Sequence, residues 1–129
     1  MTKYTEEYFK KKLKPAQYKV LREADTEPPF SGEFDDFWKT GEYRCAGCGS
    51  VLFSSKSKYE AGCGWPSFWE ATDNSKIKLI DDSSFGMTRT EVKCGVCDSH
   101  LGHVFEDGPS EHGGKRYCIN SLSLDFDKR

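Results

Sequence analysis

No stretch of the 129 residues approaches the roughly 18 continuous apolar side chains that a membrane-spanning helix needs, and Met1 to Glu7 lack the apolar core of a secretory signal. The expectation is a soluble, cytoplasmic protein. An excess of positive charge is missing too: 19 Lys and Arg stand against 21 Asp and Glu, for a net charge of -2. The one basic cluster, Lys10-Lys11-Lys12 with Lys14, lies beside Glu6 and Glu7 and reads as a solvated helix face. These features argue against a nucleic-acid binder, which needs a clustered basic surface. Low-complexity sequence is also absent, and the length suits one domain.

Apolar residues are scarce, at 36% against 31% charged, and the mean hydropathy is -0.74. The chain can bury a modest core, and something beyond burial is expected to help hold it. Aromatics run the other way. Three Trp, six Tyr and nine Phe are many for this length, and such rings either fill a core or line a ligand site.

Residues 1–25 carry a helical pattern, with Tyr4 and Tyr8 four apart, then Phe9 and Leu13, and a second stretch opened by Pro15 with Tyr18 and Leu21 on one side. Lys14 is a poor N-cap for that second stretch. Residues 26–40 read as an arm, because Pro28 and Pro29 remove backbone donors and push their predecessors toward extended conformations. From 41 to 126, short strand-like runs alternate with turn residues: Tyr43 to Cys45, Val51 to Phe53, Ile77 with Leu79, Phe85 to Val92, Leu101 to Phe105, and Arg116 to Phe126. This is the spacing of a small antiparallel β-domain.

In a reducing compartment six cysteines point to metal binding or catalysis rather than to a disulfide framework. Cys45-Ala-Gly-Cys48 and Cys94-Gly-Val-Cys97, with 45 residues between them, offer four thiolates in two pairs. Two residues between ligands let one tight turn present both sulfurs to one ion, and two such turns complete the tetrahedron that structural Zn2+ prefers. A single Cys-x-x-Cys also fits a thioredoxin-type redox pair, but the βαβ context for that is absent.

Cys63 and Cys118 remain. The first sits in Gly62-Cys-Gly-Trp-Pro-Ser-Phe, a glycine-flanked turn among aromatics. If residues 116–120 form a strand, Arg116, Cys118 and Asn120 share one face, and the cation beside Cys118 favours its nucleophilic thiolate. A free cysteine is also commonly an inert packed residue, so both readings stay open here. His100, His103 and Asp107 follow the second Cys-x-x-Cys directly; an imidazole oriented by a carboxylate can move a proton near pH 7, although lone histidines are more often structural. His112 reads as a loop residue without a role.

These residues resemble the zinc-containing methionine-R-sulfoxide reductase B family, over about Gln17 to Phe126. The resemblance is carried by Gln17 to Glu23, Thr26-Glu-Pro-Pro-Phe-Ser-Gly, Gly62-Cys-Gly-Trp-Pro-Ser-Phe, Arg89-Thr-Glu-Val, His100-Leu-Gly-His-Val-Phe and Arg116-Tyr-Cys-Ile-Asn-Ser. It implies a mainly β, tent-like fold of two antiparallel sheets with N-terminal helical segments, and one structural zinc on Cys45, Cys48, Cys94 and Cys97. It implies Cys118 as nucleophile, Cys63 as resolving cysteine, His100, His103 and Asp107 as acid-base or orienting groups, and Arg116 and Asn120 as a polarising pair. Trp65 would wall the pocket for the substrate's S-methyl group. Oxidised proteins or free methionine-R-sulfoxide would be the substrate of a monomer, with thioredoxin as reductant. Leu122 and Glu106 depart from the family's usual residues, and Leu122 puts the substrate pocket in question. The competing readings are a non-catalytic zinc-ribbon module and a non-catalytic relative that binds a ligand in the aromatic pocket.

Overall fold

The structure is a computed structural model and describes residues 5–83 and 89–128. Tyr4 and the stretch from Phe85 to Thr88 lie outside the described residues. Helix α1 spans Glu6–Lys12; Thr5 caps it by accepting the Tyr8 N–H at 3.1 Å. Glu6 and Glu7 occupy its first turn and Lys10 to Lys12 its last, the charge order that complements the helix dipole. The basic cluster is therefore an exposed helix end. Helix α2 spans Pro15–Glu23; Lys14 offers no side-chain cap, and the Gln17 side chain reaches back to accept the Lys14 N–H at 3.0 Å, the second half of a capping box. Phe9, Val20 and Leu21 seat both helices on the core.

The arm beyond α2 contains no helix or strand until residue 41, and Glu27 and Phe34 are its buried anchors. Among the described residues nine strands follow: β1 Gly41–Cys45, β2 Val51–Ser54, β3 Lys58–Tyr59, β4 Ser67–Phe68, β5 Ile77–Asp82, β6 Arg89–Cys94, β7 His100–Phe105, β8 Arg116–Ile119 and β9 Leu124–Lys128. They form two antiparallel sheets, β2-β1-β9 and β3-β4-β8-β7-β6-β5, so the mainly β expectation is borne out. The run from Arg116 to Phe126 is not one strand. A 3-10 turn at Ser121–Ser123 breaks it, sending β8 into the larger sheet and β9 into the smaller. The two-residue strands β3 and β4 were too short to carry an alternation that could be read.

Strand alternation divides the larger sheet into two faces. Val92, Val104, Tyr117, Ile119 and Phe68 share the dry side, where Phe53 stacks on Phe68 at 4.6 Å and Tyr43 meets Phe68 edge-on at 5.1 Å. Fully burying one such side chain is worth roughly 1.5–3 kcal/mol. On the opposite face the pairing register lines up Tyr59, Ser67, Cys118, His103, Glu91 and Ile80, one from each strand. That row places the chemistry.

Candidate active site and metal centre

The two Cys-x-x-Cys turns are built alike. Cys45 closes β1 and Cys94 closes β6; each donates its N–H to the residue five further on and accepts from the residue four further on, all at 2.8–2.9 Å. Both turns need a left-handed residue at the fourth position, filled by Gly49 at φ 82° and Asp98 at φ 66°. The four sulfurs lie within 4.8 Å of one another, with Cys45–Cys97 and Cys48–Cys94 at 3.6 Å. A tetrahedral zinc with bonds of about 2.3 Å sets sulfurs about 3.8 Å apart, so the cluster has the dimensions and the ligand chemistry for such an ion. Arg22 reaches over from α2 to donate to the Cys97 carbonyl at 3.0 Å and Ser99 Oγ at 3.1 Å.

On the wet face of the larger sheet, Thr26, Cys63, Trp65, Arg89, Gly102, His103, Phe105, Arg116, Cys118 and Asn120 line a cavity of about 240 Å3. Cys118 and His103 are direct cross-strand partners there. Gly102 lets β7 and β8 approach: a Cβ at that position would strike the Cys118 carbonyl oxygen. Cys63 arrives from the loop before β4, and its Sγ lies 3.3 Å from Cys118 Sγ and 3.2 Å from Ser67 Oγ.

Two thiols this close share a charge. The S–H bond from Cys118 pulls Cys63 down to about 5, while that same bond and burial push Cys118 up. At neutral pH the pair holds one thiolate and one proton. The Arg116 guanidinium acts on both sulfurs in the direction of the thiolate. Arg116 is itself held by Asp107, at 2.9 and 3.2 Å, and lies over the Phe105 ring at 4.5 Å.

The remaining candidates divide between the cavity wall and its supports. His103 lines the cavity, and its Nε2 lies 2.9 Å from Asp82 Oδ2. His100 does not line it: the ring is 3% exposed, bonds Glu91 through Nδ1 at 2.7 Å, and is disfavoured as a cation first by burial. Asp107 is 66% exposed and meets Arg116 rather than either histidine. Asn120 lines the cavity, but its Nδ2 donates to the Leu101 carbonyl at 3.0 Å and its Oδ1 accepts from Glu27 N–H at 3.1 Å. Trp65 is fixed through its indole N–H, which donates to the Glu27 carbonyl at 3.0 Å. Leu122 lines a different cavity, beside Leu13 and Gln17. Glu106 pairs with Lys115 at 2.7 Å.

Sequence reading missed Asp82 and the part played by Glu27. Glu27 is 3% exposed and ties three places together: Trp65 through its carbonyl, Asn120 through its N–H, and the Leu122 N–H through Oε1 at 2.9 Å. Burial raises its carboxyl above the ordinary range. The readable signal was Glu27 immediately before two prolines, an acid in a segment otherwise unable to make regular structure. Asp82 carried no signal, since its contact depends on the β5–β6–β7 register.

Residues 13–128 match the SelR domain family. The chain is 51% identical over 122 residues to the peptide methionine sulfoxide reductase MsrB of Leifsonia xyli subsp. xyli, covering 95% of this chain and 88% of the relative. It is 52% identical to that of Thioalkalivibrio sulfidiphilus, with the same 95% and 88% coverage. Against that of Methanosarcina barkeri it is 54% identical, covering 95% of this chain and 85% of the relative. With a family match over nearly all of its length and half of its residues shared with these proteins, the chain belongs to the methionine-R-sulfoxide reductase B family.

Proposed function

We propose that this chain is an oxidoreductase that reduces the R epimer of methionine sulfoxide, in oxidised proteins or as the free amino acid, with Cys118 as nucleophile and Cys63 as resolving thiol. The observation that carries the reading is the pair of sulfurs 3.3 Å apart in a cavity bounded by Trp65, His103 and Arg116. Moving the shared proton from Cys118 to Cys63 leaves the thiolate on the sulfur that faces His103. Cys118 then attacks the sulfoxide sulfur, forming a bond between the two sulfurs while the oxygen takes a proton from His103. The hydroxyl passes to the Cys118 sulfur as the substrate's sulfur–oxygen bond and the new sulfur–sulfur bond break, so methionine leaves as the thioether and Cys118 is left as a sulfenic acid.

Cys63 attacks that sulfenic acid, forming the Cys63–Cys118 disulfide and releasing water. A dithiol of the thioredoxin kind then reduces the disulfide, returning two thiols. Trp65 suits the S-methyl group, because sulfur and its methyl pack favourably on an aromatic ring. Asp107 keeps Arg116 in place beside the sulfurs, Asn120 joins β8 to the arm, and His100 with Glu91 backs His103. The four remaining cysteines would hold one structural Zn2+, which clips the end of β1 to the end of β6 and takes no part in the chemistry. The chain acts as a single cytoplasmic domain and a monomer; among the described residues no helix is long and apolar enough to cross a membrane.

The test separates the R and S epimers of a methionine sulfoxide peptide, incubates each with the protein and dithiothreitol, and quantifies methionine. Reduction of the R epimer alone is expected. Reduction of neither, or of both equally, overturns the reading.

A further inference from the structure

We infer that Asp82, at the end of β5, is a positioning residue that aims His103 for delivery of the proton to the departing oxygen. This rests on the reduction reading above and goes beyond it. The carboxylate lies three strands away from Cys118 in the sheet, yet Asp82 Oδ2 is 2.9 Å from His103 Nε2. A carboxylate can only accept, so Nε2 carries the hydrogen and Nδ1 is the nitrogen that serves the cavity. The same oxygen accepts from Arg89 at 3.3 Å, and Arg89 stands directly opposite Asp82 in the β5–β6 register, so the carboxylate is braced from its own sheet neighbour. Side-chain exposures of 13% for His103 and 20% for Asp82 keep much of the water away from this contact.

Other charges surround His103 from each neighbouring strand. Arg89 and Glu91 lie on β6, with Glu91 bonded to His100; the His100 ring on β7 meets the His103 ring edge-on at 5.6 Å. From β8 come Arg116 and Cys118, and Cys63 stands behind Cys118. Of the anions in this set, Asp82 is the one bonded to His103. Asp107, four residues further along the chain, is turned to Arg116. When His103 is cationic, Asp82 offsets its charge; after the proton has gone to the sulfoxide oxygen, the Nε2–H bond still holds the ring in place.

The experiment measures single-turnover methionine release from the R sulfoxide in four proteins: wild type, Asp82→Asn, His103→Asn and the double variant. Asp82→Asn should slow release by about tenfold or more at neutral pH with KM within about twofold. Added to His103→Asn, the same substitution should change the rate by less than about twofold, since the two side chains act as a unit. Asp82→Glu should recover part of the rate. Zinc content, and Cys63–Cys118 disulfide formation by diamide, check that the fold is intact. Equal slowing by Asp82→Asn in both backgrounds overturns the inference, as does a wild-type rate in Asp82→Asn beside a slow His103→Asn. A wild-type rate in His103→Asn overturns the inference together with the proton donor of the proposed mechanism.

Discussion

The molecule uses cysteine in two places and to opposite ends. At the Cys-x-x-Cys turns, four sulfurs close on one another within 4.8 Å at the ends of two strands, with Cys45, Cys94 and Cys97 buried and the backbone hydrogen bonds of each turn already made. At the cavity, two sulfurs lie 3.3 Å apart with a guanidinium, an imidazole and an indole around them, and open space in front. A closed set of four thiolates has the form of a ligand shell, and an ion bound there would take up its reactivity. An open pair sharing one proton keeps a thiolate ready and a second sulfur within reach. What separates the two is how many neighbours each sulfur has and whether a substrate can approach.

The sharpest break in the comparison comes from Cys118→Ser, which should cut R-sulfoxide reduction at least about a thousandfold, a barrier increase of about 4 kcal/mol, while leaving zinc content unchanged. Cys63→Ser, assayed beside it, should release about one methionine per enzyme without reductant and lose thioredoxin-supported turnover. Zinc loss in Cys118→Ser, measured by elemental analysis, would erase the division between the two clusters.

Cys94→Ser should act the other way round. Metal binding energy is folding energy, so denaturant unfolding should show destabilisation by more than about 4 kcal/mol together with zinc loss. A Cys94→Ser protein of wild-type stability would end the structural reading of the four-sulfur cluster.

The smallest effect is a difference in alkylation. With Cys63 at about 5, the cavity pair holds a thiolate at pH 7 and down to that value, and loses it as pH falls below. Iodoacetamide should therefore label the pair at pH 6 about a hundredfold faster than an ordinary free thiol, with the rate falling only below about pH 5. The four sulfurs of the proposed zinc site should stay unlabelled throughout, as peptide mapping by mass spectrometry would record.

The sequence made the cysteine spacing, the helix of Pro15 with Tyr18 and Leu21, and the β character of residues 41 to 126 legible, because each rests on local period or on ligand separation. The facing of Arg116 and Cys118 followed from strand alternation alone. Pairing across strands is a different matter. Asp82 and His103 are 21 residues apart and meet only because β5, β6 and β7 lie in one register. Asp107 looked like the partner of a histidine because it is near one in sequence, but the turn after β7 brings it to Arg116 at the start of β8. Leu122, which stood next to the site in sequence, is carried by the Ser121–Ser123 turn to another side of the molecule.

The row Tyr59, Ser67, Cys118, His103, Glu91 and Ile80 also says where this chain can change its length. A residue inserted within β7 or β8 turns every later side chain of that strand to the opposite face, taking Cys118 or His103 out of the cavity at a stroke. The connection between those strands, exposed from Ser110 to Gly113, imposes no such demand on its own middle. Insertions and deletions should therefore be tolerated at that tip and rejected inside the strands, and a tag or reporter peptide that must spare activity has its natural place beside Gly113.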